Sequence, residues 1–267
     1  MFLRTCFVGL VLFASLVQAE EKKQRLLLLS QKPDGHPPTT HEYEAGQKVL
    51  AQLLRDVPQL EITQVRADGD WSEGPAVLDK ADHCVLFVSE GAKWISSDPA
   101  RRDAFRRLAE RKGGLAVFHW GMGTKKAEDV DTFVRLFGAC HGGPDRKYKF
   151  AEITCKVATE HPATAGLTKP FTVNEEFYYA LKRDPENKDL IPLITARIDD
   201  KDEMVSWAWP RPDGGRSFGF SGLHYHKNWQ RPEYQTILSQ AVLWTTGIPQ
   251  PKDFPAKLEA ADLELAK

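Results

Sequence analysis

Arg25-Leu26-Leu27-Leu28-Leu29-Ser30 is the stretch that decides the fold. Four consecutive leucines leave no polar side for water, so the run predicts a short strand covered on both faces, as in a parallel sheet between helix layers. Working outward, residues 32–40 form a polar loop with three prolines. A helix follows, with Tyr43, Val49, Leu50, Leu53, Leu54 and Val57 on its apolar stripe. Thr39, with Glu42 three residues later, matches a capping box for its start. Residues 61–66 alternate as a second strand, residues 83–89 make a third and residues 115–120 a fourth. Ser97 or Asp98 caps a helix that runs to Lys112 and stops at Gly113-Gly114, and a further helix lies around residues 127–137. Strands alternating with helices predict an α/β fold: three layers, an open and mostly parallel sheet, helices on both faces.

The second half reads less regularly. Residues 150–159, 190–198, 205–209 and 216–220 carry strand patterns, and residues 233–246 a last helix. No internal repeat or composition shift divides the chain. One domain is therefore expected over residues 20–250, with residues 251–267 as a peripheral tail.

The 36 basic and 37 acidic residues nearly cancel, so no basic field exists to hold a phosphate backbone, and nucleic acid is not an expected partner. Past the N-terminus no apolar run is long enough to cross a bilayer. Residues 1–19 read as an export signal: Arg4 supplies the positive start, residues 6–16 the apolar segment, and Val17-Gln18-Ala19 the small-residue cleavage site. The expected location is periplasmic or extracellular. Removal of that segment leaves Cys84, Cys140 and Cys155, an odd number that cannot form a complete disulfide framework. Cys84 fits a buried strand; Cys140 and Cys155 either pair or stay free. No CxxC spacing points to zinc or redox work.

In open α/β sheets ligands bind beyond the carboxyl ends of the strands. His36 and His41 follow the first strand, His119 ends the fourth, and His224 and His226 follow residues 216–220. Imidazole titrates near neutrality and is the commonest ligand for transition metals, so His41, His119, His224 and His226 are the candidate ligands for a divalent metal. His224 and His226, two apart on extended backbone, would face one side. Glu175-Glu176-Phe177-Tyr178-Tyr179 supplies a carboxylate, and since neighbours on a strand face opposite ways only one of the two glutamates enters a site. Trp120, Tyr178, Trp207, Trp209 and Trp229 are candidates to stack on a sugar face, and Arg216 is a candidate anchor for an anionic or hydroxylated ligand. No GxSxG elbow, P-loop or dinucleotide fingerprint is present.

His119-Trp120-Gly121, residues 161–167, Asn174-Glu175-Glu176-Phe177-Tyr178, and Gly214-Gly215-Arg216-Ser217-Phe218-Gly219-Phe220 with His224 together resemble the trehalose-utilisation (ThuA-like) family. Residues 36–43 resemble the first loop of its exported branch, and residues 241–247 its closing helix. The resemblance covers about residues 25 to 250. It implies a flavodoxin-like domain of the class I glutamine amidotransferase-like superfamily, associated with sugar metabolism. Amidotransferase relatives carry a nucleophilic cysteine at the turn after a central strand. The matching turn here, Phe118-His119-Trp120-Gly121, has no thiol or hydroxyl, which argues against a Cys-dependent amidotransferase. Leu223 stands where many relatives carry a glycine, so whether His224 or His226 faces the pocket stays open.

The leading expectation is an exported enzyme acting on a sugar or sugar derivative by acid–base or metal-assisted chemistry. His119 is the general base or metal ligand, His41 and His224 its partners, and Glu176 the carboxylate. His36, Glu175, Tyr178, Arg216, His226 and Trp120 contact the small-molecule substrate. The competing readings are a carbohydrate-binding module without chemistry and an interaction protein with an inert pocket.

Overall fold

The computed structural model describes residues 22–265; the expected export segment, residues 1–19, lies outside the described residues. Strand β1 (Gln24–Ser30) pairs in parallel with β2 (Leu60–Arg66) on one side and β3 (His83–Leu86) on the other, and β4 (Gly114–Phe118) lies parallel beyond β3. The four leucines divide between two cores. Leu26 and Leu28 pack with helix α1 (Tyr43–Leu54), while Leu27 and Leu29 pack on the opposite face with α2 (Gly74–Lys80), α3 (Gly91–Ser96) and α4 (Pro99–Glu110). Helix α5 (Val130–Phe137) joins the second face.

Helix α4 starts where expected, because the Asp98 carboxylate accepts the backbone N–H groups of Ala100 and Arg101. Helix α1 does not use the expected capping box. Glu42 reaches back to the Thr39 N–H at 2.9 Å, but no side chain caps the helix, which begins at Tyr43.

Past α5 the chain changes character. Two short pieces, β5 (Gly123–Thr124) and β6 (Ala139–Gly142), pair in parallel. Then β7 (Lys147–Val157) and β8 (Phe171–Tyr179) form an antiparallel pair. A small β9 (Lys182–Arg183) pairs with β6. Next come β10 (Ile191–Ile198), β11 (Lys201–Pro210), β12 (Arg216–Phe220) and the closing helix α6 (Pro232–Thr246), which packs with α1 on the first face. The main sheet has nine strands in the order β2-β1-β3-β4-β12-β11-β10-β7-β8.

The first five strands of that order are parallel, with a flavodoxin-like succession. From β12 onward every pairing is antiparallel. The expectation of a mostly parallel sheet is thus corrected to a mixed one. A parallel crossover needs roughly a dozen residues, whereas β10 and β11 are joined by Asp199-Asp200 alone. Both have positive φ, 45° and 62°, as a two-residue hairpin turn requires. The antiparallel wing bends back so that Ser221, just past β12, donates its hydroxyl to the Tyr178 carbonyl of β8 at 2.9 Å. That return brings the far edge of the sheet to the carboxyl ends of its centre.

Candidate metal centre

His119 is the first residue after β4, in a tight turn over His119–Met122. Its backbone is left-handed, with φ 46°. The turn lies against its neighbours: a Cβ built on Gly91 would fall 2.1 Å from the Gly121 carbonyl oxygen. The imidazole is wholly buried. Its Nδ1–H donates to the Ser221 carbonyl at 2.8 Å, which leaves Nε2 as a lone pair in the neutral ring.

His41 comes from the proline-rich loop after β1 and is also left-handed, with φ 51°. That loop is clipped to the one after β12. The His41 N–H donates to the His224 carbonyl at 3.0 Å and the His226 N–H to the Thr39 carbonyl at 2.9 Å. The His41 ring donates from Nδ1 to Asp34 Oδ2 at 3.1 Å, and so turns a bare Nε2 inward. Tyr43 and Ser89 hydroxyls donate to the same Asp34 oxygen at 2.6 and 3.0 Å. Burial opposes ionisation of Asp34, yet the bonds from His41, Tyr43 and His36 hold it well below the usual carboxylate range. Burial pushes His41 down to about 4, against the pull of Asp34, so the ring is neutral at pH 7.

Glu176 and Glu175 point to opposite faces of β8. Glu175 accepts the backbone N–H groups of Leu223 and His224, the Asn228 amide and the Tyr234 hydroxyl, at 2.9 to 3.1 Å. It pins the loop after β12, where Leu223 holds φ 83°. That is the left-handed geometry a glycine takes without strain. Glu176 faces the histidines.

The four groups converge. His41 Nε2 lies 3.0 Å from His224 Nδ1 and 3.1 Å from His119 Nε2. Glu176 Oε2 lies 2.9 Å from His224 Nδ1 and 3.4 Å from His119 Nε2. All four donor atoms fall within 4.8 Å of one another. The Nε2 atoms of His41 and His119 both present lone pairs, and two lone pairs 3.1 Å apart repel unless a cation lies between them. Donors about 2.1 Å from a common ion and at right angles to each other stand about 3 Å apart. The set therefore fits a divalent transition metal with three imidazoles and one carboxylate. The Asp34–His41 bond is the outer carboxylate–histidine contact that orients such ligands.

Over this cluster opens a hollow of about 260 Å³, walled by His36, His41, Trp120, Glu176 and Tyr178. Larger surface hollows of about 580, 750 and 480 Å³ lie elsewhere, and no histidine lines any of them. Volume therefore does not mark the site; donor chemistry does.

A family model described as trehalose utilisation matches residues 25–245. The chain belongs to the ThuA family. Among solved structures, a ThuA-like protein from Bacteroides uniformis superposes with a TM-score of 0.63 at 18% identity, covering 86% of this chain and 94% of the other. A ThuA-like protein from Parabacteroides merdae gives 0.61 at 16%, covering 88% and 95%. These likenesses establish the fold. No match was found among curated proteins.

Within this ThuA-family fold several expected site residues fall elsewhere. His226 turns away: its Nε2 donates to the Leu263 carbonyl at 3.0 Å, since the chain enters a tight helical turn at residue 226 and extended-strand alternation ends. Arg216 opens β12, which runs parallel to β4, so it sits at the opposite sheet edge. There it donates to the Trp244 carbonyl at 2.7 Å and stacks on that indole. Trp207, Trp209 and Trp229 belong to the two cores, not to the hollow. Glu175 acts on the loop, not on the hollow. His36 is at the rim, stacked on His41 at 3.7 Å and bonded to Asp34.

Sequence reasoning passed over Asp34, Lys125, His141, Arg146, Tyr148 and Phe150. Register brings His141 in, because Gly123 pairs with it across β5 and β6. Tyr178 is then stacked between His119 and His141, at 4.5 and 3.8 Å. Burial, with Arg146 nearby, pushes His141 down to about 3, so this ring too is neutral. Cys84, Cys140 and Cys155 are free and buried, which raises their thiol pKa values and leaves them unreactive.

Proposed function

We propose that the protein is a metal-dependent enzyme acting on a sugar or sugar derivative, with the ion held by His41, His119, His224 and Glu176. The observation that carries this reading is the inward convergence of three imidazole nitrogens, two of them left bare by the bonds to Ser221 and Asp34. A metal bound there would act as a Lewis acid on a sugar oxygen or lower the pKa of a bound water. The chain's own groups do the rest. Tyr178, whose hydroxyl lies 3.1 Å from His119 Nε2, sits at the mouth of the cluster as a donor to a substrate oxygen. Asp34 holds the His41 ring in register. The trehalose-utilisation family and the aromatic wall at Trp120 support a sugar over other polar small molecules.

The test is metal content and turnover together. Protein purified without chelator should carry close to one equivalent of a divalent transition metal. Turnover of plain and oxidised disaccharides should stop in chelator and return with the ion. Full turnover by metal-free protein would overturn the reading. The export signal read at residues 1–19 belongs to the same proposal: protein from the native envelope should begin at Glu20. Intact Met1 on soluble cytosolic protein would refute export alone.

A further inference from the structure

We infer that the substrate is an anionic sugar, its charged group received by Lys125 and Arg146 while its ring lies in the corner that Tyr148 and Phe150 make, their planes 81° apart. This rests on the metal-site reading above and names its substrate class. Lys125 and Arg146 line the hollow over the cluster. Three neighbouring cations are committed, Lys126 to Glu128, Lys149 to Asp199 and Lys182 to Asp145, and Lys147 does not line the hollow. Among the described residues, Lys125 and Arg146 have no carboxylate within ion-pair distance. Arg146 is positioned, with one N–H donating to the Gly143 carbonyl at 3.3 Å and its guanidinium 5.9 Å from the Trp120 ring centre. Its remaining N–H groups are free to form the planar fork that suits a carboxylate or phosphate.

Charge balance points the same way. Lys125 and Arg146 stand together on the rim without a carboxylate partner among the described residues, and such uncompensated charge draws in the opposite sign.

Tyr148 and Phe150 are both about half exposed, at 54% and 49%. They alternate along β7 and so share a face, with ring centres 5.8 Å apart, and Phe150 lies 5.0 Å from the His224 ring. Exposed aromatic faces beside a polar cluster suit the C–H face of a pyranose. His141 adds an independent sign. It is 2% exposed, lines the hollow, and its Nδ1 has no hydrogen-bond partner. A buried polar atom left unpaired is costly, and a hydroxylated ligand with its bound water is one way to satisfy it.

The experiment measures binding of D-glucuronate, D-glucose 6-phosphate, D-glucose, acetate and inorganic phosphate to manganese-loaded protein by calorimetry. The first two should bind at least about tenfold more tightly than glucose at roughly 50 mM salt, with the gap narrowing at roughly 300 mM. Which of the two wins distinguishes a carboxylate from a phosphate. Lys125→Gln with Arg146→Gln should abolish the gap without changing metal content, and Arg146→Lys should restore part of it. Equal binding of glucose, no binding of any sugar, retention of the preference by the double variant, or acetate and phosphate binding as tightly as the sugars would each overturn the inference. Metal content, read separately, shows whether the metal reading has failed instead.

Discussion

His41 and His119 hold left-handed backbone, a conformation that costs a non-glycine residue on the order of 1–2 kcal/mol. Such strain persists only where the surroundings impose it, and here both rings are fastened on their outer nitrogens, by Asp34 and by the Ser221 carbonyl. Asp34→Asn should therefore leave the fold intact yet weaken metal affinity roughly 10- to 100-fold, because the amide no longer fixes the His41 tautomer. A metal titration followed by calorimetry checks this. The thiols should be irrelevant to chemistry. Cys84→Ala, Cys140→Ala and Cys155→Ala should each keep turnover near the parent value while costing stability of about 1 kcal/mol or more. A folded cysteine variant with a loss above about 100-fold would reopen thiol chemistry.

Among the elements, β8 links the wing to the centre. Glu175 accepts several neutral donors from the loop that carries His224, so Glu175→Gln leaves at least one of them facing another donor. The expected cost is roughly 1–3 kcal/mol, with weaker metal binding although the side chain never enters the hollow. Denaturation and metal titration of the same sample test both parts. This element also marks how far the sequence could be read. The leucines of β1 announce a two-sided strand because residue type alone carries that information, and His119 at the end of β4 follows from the carboxyl-edge rule. The wing was hidden because antiparallel pairing depends on loop length, and Asp199-Asp200 does not look like a turn until both strands are bounded. Arg216 was misplaced because a strand's direction decides which of its ends meets the ligand edge. His141 was hidden because β6 is too short to show a pattern, and Asp34 because one acid in a proline-rich loop carries no periodicity. Strand alternation alone showed that only one of Glu175 and Glu176 enters a site; saying which one required the actual facing of β8.

For the molecule as a whole, buried neutral histidines set the acid side of stability. His83, 7% exposed, accepts the Gly114 N–H on Nδ1, and burial pushes it down to about 4. Its pKa in the folded chain lies below that of the unfolded chain, so below about pH 6.5 the unfolded state takes up the proton first. Stability should fall as pH drops from about 6.5 to 4 and level off below that for this ring, with a contribution of about 3 kcal/mol. Urea unfolding between pH 7 and 4 should show a steeper loss for the parent than for His83→Gln. The clip between the loops after β1 and β12 carries a different consequence. His41 and His224 are 183 positions apart, so a nascent chain owns only part of the ligand set until nearly all of it has been synthesised. An ion held there would therefore be chosen where folding finishes, not where translation begins. For a chain secreted unfolded, the occupant would be drawn from the metal pool outside the cytoplasm, whatever the cytoplasm holds.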